Sequence, residues 1–174
     1  MNWKKLLHRQ AEDAYRATEG LLRLVDDDKL GWKPESGSNW LTTGQLLKHL
    51  TGACGAMCRG FVTADWGLPP EPSQDLEEAV DMLPPAERFP AVGSVAEAER
   101  ELAADKRVAL EMIERTDEKD LWERRTSAPW DPTERTLGEW LTESIEHLVS
   151  HKAQLYYYLK LQGVDVNTGH LWGI

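Results

Sequence analysis

Three histidines are the residues of this chain best placed to do chemistry. His147 and His151 stand i, i+4 in Ile145-Glu146-His147-Leu148-Val149-Ser150-His151. On a helix that spacing puts both imidazoles on one face, one turn apart. Two nitrogens so placed suit chelation of a single transition metal, and a third imidazole from a neighbouring helix completes a facial triad with coordination positions left open. His49, in Leu46-Leu47-Lys48-His49-Leu50, has a similar helical setting and is the candidate third ligand. Five histidines produce an i, i+4 pair by accident about one time in nine, so the spacing needs support from placement and neighbours.

Four segments carry the apolar period of an amphipathic helix and must position these residues. They run from about Trp3 to Val25, Thr43 to Ala64, Val95 to Arg115 and Leu137 to Gln162. Thr42-x-x-Gln45, Ser94-x-x-Glu97 and Thr136-x-x-Glu139 match capping boxes, and Gly163 is a helix stop. On ideal helices His49 lies roughly 100° from the apolar stripe of the second segment, and His147 and His151 roughly 60–100° from that of the fourth. All three flank the core, where a cavity at the edge of a bundle leaves a metal accessible. Gly52, Ala53, Ala56 and Gly60 share the face of His49, which leaves either ligand space or a close helix contact. Ser144 and Gln154 share the face of the later pair and could orient imidazoles or waters. His8 sits beside Lys4 and Glu12 and is expected to be solvated; His170 has no clear place.

The connections are long: 26–41, 67–93 with a short helix expected over 73–82, and 117–135. Loops of this length are uncommon in compact bundles unless they have work to do. No strand is evident; Leu121 to Thr126 is too short and too charged. The second and fourth segments open alike, Thr43-Gly44-Gln45-Leu46-Leu47 against Leu137-Gly138-Glu139-Trp140-Leu141, either a trace of duplication or the shared grammar of helix starts.

A length of 174 residues suits one domain over 1–174. The net charge of −10, with no Lys/Arg run, argues against nucleic acid or an anionic membrane as partner. Cys54 and Cys58 read as small buried hydrophobes, which fits a reducing, cytoplasmic location. There is no signal peptide pattern at the N-terminus and no run of transmembrane length. The eight tryptophans are expected mostly in the core or in cavity walls. Tyr156, Tyr157 and Tyr158 point about 100° apart, so at least one is exposed or at an interface, which favours a dimer. Glu-x-x-His, His-Glu-x-x-His, Cys-x-x-Cys and a Gly-rich phosphate loop are all missing, which removes the di-iron bundle, the zinc protease, the redox dithiol and the nucleotide site.

The ordered set Gly31-Trp32-Lys33-Pro34, Gly44-Gln45-Leu46-Leu47-Lys48-His49-Leu50, Thr136-Leu137-Gly138-Glu139-Trp140-Leu141 and His147-x-x-x-His151-x-x-Gln154-Leu155 resembles DinB-like proteins of the DinB/YfiT superfamily over nearly the whole chain. The resemblance implies an all-α four-helix bundle of up-down-down-up topology with long connecting loops. It implies a divalent metal, zinc or nickel, held by His49, His147 and His151, and commonly a homodimer. Characterised relatives include transferases and isomerases that use a low-molecular-weight thiol such as mycothiol or bacillithiol. Where many relatives carry a second histidine after His151, this chain has Lys152. Two functions follow: a metal-dependent thiol S-transferase or hydrolase acting on a small molecule, or a non-catalytic metal-binding stress or regulatory bundle acting through a partner. The general base is not identifiable, since neither Glu143 nor Glu146 stands out.

Overall fold

The computed structural model describes residues 2–67 and 85–174, and the helix expected over 73–82 lies outside them. The architecture is all-α with one small hairpin. Helix α1 spans Trp3–Leu22, α2 Thr43–Leu50, α3 Gly55–Thr63, α4 Val95–Arg115, α5 Glu118–Glu123, α6 Leu137–Leu161 and α7 Thr168–Trp172. Strands β1, Arg125–Ala128, and β2, Asp131–Thr136, pair antiparallel between α5 and α6. Helix α1 packs on α4 and α6, α3 on α4 and α6, and α2 on α6. The core between them holds Leu7, Tyr15, Leu21, Leu47, Phe61, Leu102, Ile113, Trp140, Leu148 and Leu155, all essentially buried. No helix among the described residues is long and apolar enough to cross a membrane.

The helix starts follow from side-chain chemistry. Thr42 accepts from the Gln45 N–H while Gln45 accepts from that of Thr42, and Thr136 and Glu139 repeat the exchange. Both boxes satisfy N–H groups that have no partner within their helix. Ser94 caps α4 from one side only, because Glu97 accepts from Gly93 instead. Gly163, at φ +83°, turns the chain out of α6.

Three expectations change. The segment expected as one helix from Thr43 to Ala64 is two, broken over Thr51–Cys54. There Gly52 and Ala53 close tighter i→i+3 bonds to His49 and Leu50, and α3 starts afresh at Gly55. The hairpin was hidden because its strands are short and polar; it is held by Arg125–Glu134 and Arg135–Asp131 pairs and by the Trp140 indole N–H donating to the Thr126 carbonyl. The tryptophans are not mostly interior: Trp140 is fully buried and Trp3, Trp32 and Trp66 pack on the core, but Trp40, Trp122, Trp130 and Trp172 are exposed. The two cysteines are buried free thiols. Of the three consecutive tyrosines Tyr156 and Tyr158 are buried, while Tyr157 is 62% exposed.

Candidate metal centre

His49 lies in the last turn of α2, and His147 and His151 lie mid-way along α6, the helix on which α2 packs. That packing brings the three imidazoles together. Their ring centroids are 4.3 to 5.2 Å apart, and one nitrogen from each lies within 4.8 Å of the others. The Nε2 atoms of His49 and His147 stand 3.3 Å apart. Nitrogens bound at ~2.1 Å to a tetrahedral ion stand roughly 3.4 Å apart, so this pair already has the spacing of two ligands on one ion.

The outer nitrogens are held. His151 Nδ1 donates to Gln154 Oε1 at 2.7 Å, which leaves Nε2 as the lone pair facing inward. His147 Nδ1 lies 3.1 Å from Met57 Sδ. The Phe89 ring meets His49 edge-on at 5.6 Å. Gln45 places it there: besides closing the capping box, its amide donates to the carbonyls of Ala86 and Phe89.

The electrostatics favour neutral rings. Burial, then His151 and His147, push His49 down from 6.5 to about 4. Burial also lowers His147, with His151 adding to it and the Ala53 backbone opposing, and lowers His151 against its Gln154 bond. Neutral imidazoles are the form that binds a metal. The donor set therefore fits a divalent ion: three convergent imidazole nitrogens on rings that burial keeps from taking a positive charge.

Among the described residues this cluster consists of the three histidines. Glu143 is tied to Arg135, and Glu146 is exposed. Gln154 orients a ring as its position suggested, but the Ser144 hydroxyl donates to the Trp140 carbonyl. The small residues near His49 do not share one face. The break ends their common face, Ala53 packs in the core, and Gly60 is covered by Trp66, whose ring would come within 2.2 Å of an added Cβ. Sequence reasoning missed Met57 as a neighbour of His147, because Met57 reads as part of the apolar stripe of one continuous helix. His8 pairs with Glu12, and His170 caps α7 with Asn167; neither joins the cluster. Lys152 is buried and donates to the Leu171 carbonyl at 2.7 Å, which fastens α7 to α6.

The class is thus a mostly helical protein with a cluster of three neutral imidazoles where α2 crosses α6. The family model described as the DinB superfamily matches residues 10–155, and the chain belongs to that superfamily. A crystal structure at 1.70 Å resolution from Exiguobacterium sibiricum 255-15, assigned to the DinB family, is similar at 19% identity with a TM-score of 0.65 over 98% of each chain. At that identity the likeness concerns the fold. No curated protein matches the chain significantly.

Proposed function

We propose that this protein binds one divalent metal, zinc or nickel, through His49, His147 and His151, and uses it on a small-molecule substrate as a thiol S-transferase or a hydrolase. The observation that carries the reading is the convergence of three imidazoles from two helices, two of them contacted from behind by Gln154 and by Met57. Three neutral ligands leave a divalent ion its full charge, so that it supplies Lewis acidity to a water or a thiol at its open positions. The chain's own part is to hold the nitrogens apart at ligand spacing and to fix their tautomers. The same reading takes α1, α2 with α3, α4 and α6 as a four-helix bundle in up-down-down-up order. It takes a low-molecular-weight thiol as co-substrate and the cytoplasm as location. A homodimer is part of it, supported by the exposed Val149, Tyr157 and Leu161 on α6.

Elemental analysis of the purified protein against His147→Ala tests the site. Near one equivalent in the wild type and a trace in the variant is expected; equal, substoichiometric metal in both removes the reading. Turnover of electrophilic substrates with a panel of low-molecular-weight thiols, or of esters without them, tests the enzyme. Metal bound without turnover of any of these favours a non-catalytic bundle acting through a partner.

A further inference from the structure

The break that separates α2 from α3 is clamped from α4. Cys54, the residue before α3, makes no side-chain cap. The carboxylate of Asp105 takes that place from across the core: Gly55 N–H donates to Oδ2 at 2.9 Å and Ala56 N–H to Oδ1 at 3.1 Å. Tyr15, fully buried on α1, donates its hydroxyl to the same carboxylate at 2.6 Å. One turn earlier on α4, Glu101 accepts from the Thr51 hydroxyl at 2.9 Å and pairs with Lys48, so it holds the other lip of the break. Both acceptors lie on one face of one helix, as i, i+4 spacing requires. His49 stands two residues before this clamp, and Met57, whose Sδ meets His147 Nδ1, stands just after it.

We infer that Asp105, assisted by Glu101, is a positioning residue for the three-histidine site: it fixes the break that lies between His49 and Met57, the neighbour of His147. The inference rests on the reading of these histidines as metal ligands. Asp105 touches neither a ligand nor the metal. It acts through backbone, by accepting from the first two N–H groups of α3 where that helix begins at Gly55. Groups that touch a metal ligand directly typically change metal affinity by about 10–100-fold when lost, and Asp105 acts one step further out through the backbone, so the low end of that range is expected.

The test measures Zn2+ affinity by chelator competition and records the absorption spectrum of the Co2+-loaded protein. It compares the wild type, Asp105→Asn, Asp105→Ala, Glu101→Gln and Ile113→Val, a core change away from the break. Asp105→Ala is expected to lose about tenfold in affinity and to shift the Co2+ bands, Asp105→Asn to lose less because it keeps one acceptor, and Ile113→Val to change neither. If Asp105→Ala does not fold, Asp105→Asn and Glu101→Gln carry the decision, and wild-type affinity and spectrum in both overturn the inference. A wild type that binds neither ion removes the histidine reading itself, and the inference with it. A wild type that binds, with every Asp105 and Glu101 variant alike, removes the inference alone.

Discussion

Gln154 Oε1 and His151 Nδ1 lie 2.7 Å apart across one turn of α6. The amide sits in solvent, yet it fixes which nitrogen of a half-buried ring faces the cluster. Gln154→Leu removes the acceptor and keeps most of the side chain's bulk. Metal affinity is expected to fall about tenfold, while the unfolding free energy of the metal-free protein in urea stays within ~0.5 kcal/mol of wild type, as for most surface changes. An affinity loss accompanied by an equal loss of metal-free stability would show that Gln154 merely holds the helix.

Metal removal reads the site through stability. A ligand at about 100 times its Kd adds ~2.7 kcal/mol to a folded protein that alone binds it. For a chain of this size that is roughly 5–10 °C in Tm. Chelator is expected to lower the Tm of the wild type by about that amount and to leave His147→Ala and His151→Ala unmoved. A chelator effect of the same size in those variants places the metal elsewhere.

Much of this site was legible in the chain. The i, i+4 pair and the repeated helix openings with their capping boxes told which side chains share a face, because those patterns are local. What was not legible is the interruption between Thr51 and Cys54. No proline marks it, and the apolar stripe runs through it; its cause, Asp105, lies about fifty positions away in sequence and reports only through the fold. The hairpin is a similar case. Its Arg and Thr residues carry no alternating apolar pattern, and its anchor is Trp140, a residue whose helical position was plain but whose indole partner, the Thr126 carbonyl, was not. Local grammar thus marked the three candidate histidines, while tertiary contacts supply the parts that hold them together.

Acid should unsettle the metal-free protein in a defined window. His49 is held at about 4 in the fold, chiefly by burial, and His147 and His151 are lowered as well. In the unfolded chain each titrates near ~6.5. Between ~6.5 and about 4 the unfolded state binds more protons, so stability falls as pH drops through that range and is level above it. Urea midpoints taken in chelator from about pH 7 to about pH 4 are expected to fall more steeply in the wild type than in His49→Gln. Identical slopes in the two proteins contradict the assignment of His49 as buried and neutral.

Two glycines three positions apart make opposite predictions. A Cβ on Gly55 would lie 2.2 Å from the Asp105 carbonyl oxygen and 2.5 Å from its Oδ1. The nearer atom is backbone of α4 and cannot swing aside, so α3 and α4 must part. Overpacking of this kind costs ~1–3 kcal/mol, more than the ~1 kcal/mol alanine offers a helix. Gly52, in the break itself, has nothing within 4 Å of an added Cβ and no left-handed φ. There alanine restricts only the unfolded chain and stabilises by roughly 0.4–1 kcal/mol. Chemical denaturation is therefore expected to place Gly55→Ala below the wild type and Gly52→Ala level with it or above. Because Gly55 donates to Asp105, Gly55→Ala should also weaken Zn2+ binding, whereas Gly52→Ala should not. A Gly55→Ala protein with wild-type stability would mean that α3 and α4 are not packed as closely as their contact at Asp105 requires.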